Sequence, residues 1–218
     1  MQADDFSNPG MLWIERGAKL WSSAPSGQKS CTDCHGAAAQ AMKGVALRYP
    51  ALVRDGATEK LLNLEGRINL CRTGQQGQPA LAFESEELLA VTALVGHQSR
   101  GQVSKRQIDE PLKPHFTRAK DLYFTRVGQL NLACNHCHEV NAGKRLLQET
   151  ISQGHGNGYP TYRLEWQNLG SLQRRLRACF SGVRAAVPAF GSEELNGLEL
   201  FLQWRGEGLK IETPAVRR

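Results

Sequence analysis

The chain has 218 residues, a net charge of +6 from 27 Lys+Arg against 21 Asp+Glu, 40% hydrophobic residues and only 7% aromatic ones. No apolar run approaches the roughly 18 residues that mark a membrane span, and the mild, scattered basic excess is unlike a nucleic-acid-binding tract. One large unit or two small ones of about 100 residues fit the length, but the apolar content is thin for two self-sufficient cores, so a bound apolar group would help to fill them.

The polar, acidic opening "MQADDFSNPG" has no basic-then-apolar pattern, and is expected to be the start of a mature chain that has lost an export signal. A helical pattern follows in "RGAKLW", then Cys31-Thr-Asp-Cys34-His35. Beyond it come "RYPALV", then Arg67-Ile-Asn-Leu-Cys71 with Gly74 three residues on, then "PALAFESEELLAVTALV". In this last stretch Ser85 can cap a helix whose first turn carries two glutamates, favourable at the positive end of a helix. The polar, proline-bearing "GHQSRGQVSKRQIDEPLKP" reads as a linker.

The same series then recurs. "RAKDLYF" precedes Cys134-Asn-His-Cys137-His138, "GYPTYR" follows, then Arg175-Leu-Arg-Ala-Cys179 with Gly182 three residues on, and "PAFGSEELNGLELFLQW" with Ser192 as the cap. Apolar spacing on Leu88, Leu89, Ala93 and Val95, and on Leu195, Leu198 and Leu202, is helical. An internal duplication is therefore expected.

Both motifs read CxxCH, the attachment pattern for c-type haem. The two thiols add across the haem vinyl groups and the adjacent histidine becomes the proximal iron ligand. Zinc ribbons need CxxC pairs about 15–20 residues apart, whereas about a hundred residues separate these two; a thioredoxin-like site needs a preceding strand, and neither motif has one. The expected fold is thus all-α, two tandem cytochrome c-like domains at 1–97 and 115–218 joined by a linker at 98–114. Each would hold one covalent haem c through Cys31 and Cys34 or Cys134 and Cys137, with His35 and His138 on iron. Such attachment belongs to exported compartments, so a periplasmic location is expected.

The second axial position of iron is often methionine in electron-transfer cytochromes. The methionines are Met1, Met11 and Met42; none lies in the second half, and Met42 is close behind its own motif. The candidates left are His97, His115, His136, His155, and the two spare cysteines, Cys71 and Cys179. A disulfide between those cysteines is an alternative in an oxidising compartment, although equivalent positions in two repeats should each face their own haem. Arginines around Cys179 favour a thiolate.

"NPGMLWIERGAKLW", the two CxxCH motifs, a further cysteine after each and "RRLRACFSGVRAAVPAF" together resemble the dihaem SoxA subunit of the SoxAX cytochromes, over nearly the whole chain. The resemblance implies His/Cys ligation of both haems, with Cys71 on the first iron and Cys179 on the second, and an extra sulfur on Cys179 as a persulfide. It implies an L-cysteine S-thiosulfotransferase of periplasmic thiosulfate oxidation. Thiosulfate is coupled oxidatively to a cysteine of the SoxYZ carrier protein, and electrons pass to a SoxX-type monohaem cytochrome c partner. Cys179 and Arg175 take the places of the active-site pair. A guanidinium fork suits a small dianion, and Arg174, Arg177 and Arg184 could add to the local field. Two rival readings are a plain dihaem electron shuttle and a thiosulfate dehydrogenase forming tetrathionate. The latter typically sets methionine on one haem.

Overall fold

In the computed structural model, which describes residues 1–2 and 4–218, the helical stripes of the sequence pair off as two helix couples. Helix α1 (Met11–Ser22) lies along α5 (Glu86–His97), and α6 (Lys113–Phe124) along α8 (Glu193–Arg205). The first couple touches at Gly17, where an added Cβ would lie 2.3 Å from the Ala90 carbonyl oxygen; only hydrogen fits there. Ser85 and Ser192 cap α5 and α8, each hydroxyl accepting from the backbone N–H three residues on, at 3.3 Å.

The shorter helices present the cysteines. Helix α2 (Cys31–His35) carries the first motif, α3 (Ala38–Ala41) follows it, and α4 (Leu64–Gln75) carries Cys71. In the second half a π-type turn, His136–Val140, carries Cys137 and His138, while α7 (Leu172–Gly182) carries Cys179.

The expectation of an all-α chain needs correction: the protein is helix-rich with some sheet. Strands β1 (Ala51–Asp55) and β2 (Thr58–Leu62) form an antiparallel hairpin, as do the two-residue β3 (Arg145–Leu146) and β4 (Glu149–Thr150). Strand β5 (Thr161–Arg163) is central, antiparallel to β6 (Asn168–Gly170) and parallel to β7 (Ala215–Arg217). Every residue of β5 is buried, which a sheet centre covered on both faces requires. Strands of two to five residues hold too little of a two-residue period to be told from loop in a sequence.

Residues 101–104, in the stretch read as linker, are bonded to the C-terminal segment. Gly101 N–H donates to Ile211, Ile211 to Gln102, and Ser104 to Leu209, at 2.8–2.9 Å. Asn8 also donates to the Pro214 carbonyl. One core cluster joins Ile14, Trp21, Leu89 and Leu94 to Tyr162 and Leu169 from beyond the second motif; another holds Ala119, Tyr123, Phe180, Leu195 and Phe201. Each large apolar side chain so buried contributes about 1.5–3 kcal/mol, and the first cluster spends that energy on holding the halves together.

Candidate functional site

The first motif is held by a capping box. The Ser30 hydroxyl accepts from Asp33 N–H at 3.2 Å, and Asp33 accepts from Ser30 N–H at 2.8 Å, a reciprocal arrangement that satisfies two otherwise orphaned donors. The turn places Cys31 and His35 on the wall of a cleft of about 510 Å³, which Trp21, Met42, Arg67, Ile68, Cys71 and Val91 also line. Trp21 fixes the end of the motif by donating to the Gly36 carbonyl at 2.8 Å, with its ring centroid 5.8 Å from that of His35. Cys34 is exposed on the same turn and is not part of the wall. Cys71 arrives from α4, which Asn63 caps by accepting from Gly66 N–H at 2.9 Å. Gln76 donates to the Cys31 sulfur at 3.6 Å, and burial raises the Cys31 thiol, with nearby Cys71 adding to the rise. Arg67 precedes Cys71 by one helical turn on the same wall. Met42 lines it too, so this cleft presents a second soft sulfur beside Cys71.

The second group is tighter. Cys134 packs into the cluster of Tyr123 and Phe180; burial pushes its thiol up to about 11, with Cys179 and Cys137 adding in the same direction. The His138 Nδ1 lies 2.8 Å from the Ser152 carbonyl. A carbonyl only accepts, so Nδ1 carries the proton and Nε2 is left with the lone pair, the tautomer an iron ligand needs. Gly154 makes room for that ring: with φ +74, its added Cβ would lie 3.0 Å from the imidazole.

Helix α7 supplies the opposite partner. Its Ser171 cap accepts from Arg174 N–H at 3.0 Å, and Arg175 and Cys179 sit one turn apart on one face. Burial pushes the Cys179 thiol up; Arg175 is the largest influence pulling it down, Cys137 adds to the rise, and Arg163 opposes it. Both arginines favour the thiolate, as expected, but burial outweighs them.

The neighbouring arginines divide. Arg174 stacks on Trp166 at 4.2 Å and reaches Glu84 at 3.8 Å; Arg177 covers Phe190 at 4.2 Å and donates to the Pro188 carbonyl. Both are occupied in packing. Arg184 has a positive φ of 56° in the turn after α7, where its carbonyl accepts from Gln129 at 3.3 Å. Three residues that spacing did not suggest join the site instead. Arg163 from β5, tied to Glu165 at 2.7 Å, acts on both Cys179 and the half-buried Tyr159. Arg205 from α8, paired with Glu139 at 3.2 Å, acts on His138. The one hint was "GYPTYR", the counterpart of "RYPALV", which carries Tyr159 and Arg163.

The histidine alternatives have other partners. His97 lies 3.4 Å from the Thr213 carbonyl, His115 pairs with Glu193 at 3.0 Å, and His136 accepts from Ala133 N–H at 3.0 Å. His155 contacts Gln153 through Nε2 at 3.2 Å and lies on the His138 side, its buried Nδ1 without a hydrogen-bond partner among the described residues. All six cysteines are free, so Cys71 and Cys179 are not joined in a disulfide. A cysteine pair, a histidine with an available nitrogen, apolar walls and a facing sulfur fit haem c.

A model described as the SoxA/TsdA cytochrome c domain matches residues 16–103. The L-cysteine S-thiosulfotransferase subunit SoxA of Pseudaminobacter salicylatoxidans is 42% identical over 219 aligned residues, covering 100% of this chain and 76% of that protein. The chain belongs to the SoxA family. The SoxA subunit of Rhodovulum sulfidophilum is 36% identical, covering 100% of this chain and 75% of that protein. The crystal structure of SoxXA from P. pantotrophus matches with a TM-score of 0.94 at 35% identity, over 100% of this chain and 81% of that one. As a SoxA-family chain with this domain, the protein is a c-type cytochrome with covalently bound haem c. Among the described residues no helix is long and apolar enough to cross a membrane.

Proposed function

We propose that this SoxA-family chain catalyses the oxidative coupling of thiosulfate to a cysteine of a SoxYZ-type carrier protein, in the periplasm, as the partner of a SoxX-type monohaem cytochrome. It carries two haems c in two duplicated units, 1–97 and 115–218. The first is attached through Cys31 and Cys34 with His35 and Cys71 on iron; the second through Cys134 and Cys137 with His138 and Cys179. The observation that carries this reading is the pairing of Arg175 with Cys179 on one face of α7 opposite the second motif.

The chemistry is balanced simply. The outer sulfur of thiosulfate bonds to the carrier cysteine sulfur, the thiol proton is lost, and two electrons leave. Arg175 binds and orients the dianion through its planar donor fork. Buried Arg163 adds fixed positive charge from the strand side. His138 and Cys179 would hold the haem iron, which would supply a one-electron acceptor beside the site. Thiosulfate dehydrogenation to tetrathionate would need no carrier, and the names of the SoxA relatives favour the carrier reaction.

Cys179→Met leaves both thioether attachments in place. It should retain the haem absorption bands while abolishing carrier-dependent conjugation, read by intact mass of the carrier. Full conjugation by this variant, or tetrathionate formation by the native protein without carrier, would overturn the reading.

A further inference from the structure

A second cleft, of about 100 Å³, runs between the two halves and contains none of the haem-attachment residues. Glu65 from α4 and Glu199 from α8 both line it. No positive charge lines it with them: the other titratable groups on its wall are Tyr49 and Tyr159. Arg106 donates to the Arg48 carbonyl and to that of Pro50 on this wall, and several other charged side chains nearby are bound elsewhere. Lys60 is bound to Asp55, Arg118 to Glu193, and Arg16 to Glu86 and Glu87. Arg174, Arg175 and Arg177 stay on the α7 side, and Glu84, outside the wall, adds only further negative charge. Asn63 donates to Glu199 at 3.0 Å, and Gln173 also bonds its carboxyl.

Two carboxyls sharing one confined cleft with no cationic side chain on its wall cannot both ionise at low cost. Burial, then mutual repulsion, pushes Glu65 far above the ordinary carboxylate range, and burial does the same to Glu199. The two titrate as a pair near neutral pH. The buried Thr92 hydroxyl, Ser104 hydroxyl and Gln203 carbonyl oxygen on the same wall have no hydrogen-bond partner within the protein. Buried polar groups are satisfied, and a polar space of this size admits several waters, so a proton has a route to the pair.

The position of the cleft gives the pair its use. Tyr49 and Leu64 line both this cleft and the first haem cleft. On the other side Tyr159 lies within charge range of Cys179 and Arg175, and Leu172 opens the helix that carries them. We propose that Glu65 and Glu199 form a redox-linked proton site, which takes up one proton through the cleft when a neighbouring iron gains one electron and releases it on reoxidation. Charge in the low-dielectric interior then stays balanced: one electron arrives, one proton from solvent neutralises one carboxylate, and no bond to sulfur is involved. This rests on haem being held in both halves but not on the identity of the sulfur substrate.

The test is potentiometric titration of the holoprotein against pH, with E65Q and E199Q, isosteric changes that keep a hydrogen-bonding side chain. The expected result is a haem midpoint potential that falls as pH rises through neutrality in the native protein and is level in both variants. Reduced-minus-oxidised infrared spectra of the native protein should also gain a protonated-carboxyl C=O band on reduction, shifted in D₂O, which needs no variant. Level native potentials with both haems present, or a pH slope and carboxyl band that persist in both variants, overturn the proton site. Absence of haem from a motif would instead count against the haem assignment above.

Discussion

One turn of α7 separates Arg175 from Cys179, and that spacing divides the arginines of "RRLRACFSG" by task. Arg175 faces the sulfur, while Arg174 is spread over Trp166 and Arg177 over Phe190. Hydrogen bonds to a charged partner are worth about 1.5–3 kcal/mol. Arg175→Lys, which keeps the charge but loses the fork, should therefore raise the KM for thiosulfate roughly 10- to 100-fold with the haem spectrum unchanged. Arg174→Ala should leave that KM alone and cost about 0.5–1 kcal/mol of stability through the lost stacking. Steady-state kinetics on the two variants checks both, and equal effects would dissolve the distinction. At this scale the two CxxCH motifs and R-x-x-x-C were legible, because each is a short run with fixed spacing. Arg163 and Arg205 were not, since a strand and a helix from distant parts of the chain bring them to Cys179 and His138.

Among the elements, the long helices could be read from caps and apolar spacing, and α5 and α8 begin where Ser85 and Ser192 say they should. Their partners follow from close approach rather than propensity. Gly17→Ala drives a methyl into the Ala90 carbonyl, and overpacking of this kind costs about 1–3 kcal/mol. Urea denaturation of the holoprotein should show the midpoint falling accordingly, and an unchanged midpoint would mean that α1 and α5 can separate at no cost. The strands escaped sequence reading because β5 is three buried residues whose neighbours, β6 and β7, lie on either side of two helices. The β5–β6 pair is local but only three residues long, and the β5–β7 pair is a long-range fact with no local pattern.

Across the whole molecule, the repeat in the sequence suggested two units, yet the contacts between the halves are themselves substantial. Leu61 and Asn63 bond with Asn196 and Glu199, and residues 101–104 with 209–211. Nothing in "LELFL" signals that Glu199 points inward beside Glu65; its burial comes from packing α8 against β2, which only the assembled fold reveals. A carboxyl whose folded pKa is raised binds more protons than its unfolded form, so stability falls as pH climbs from the ordinary carboxylate range through neutrality. Denaturation across this range should show that decline in the native protein and a shallower one in E65Q. A native stability that rises over the same range in step with E65Q would contradict the burial of the pair.

The central claim is that each iron lies between a histidine and a cysteine, with Cys179 at the reactive one. Low-temperature EPR of the oxidised holoprotein tests it most directly. Two low-spin signals characteristic of His/thiolate iron are predicted, the second lost from Cys179→Met; a bis-histidine or histidine–methionine signal at the second site in the native protein would contradict it.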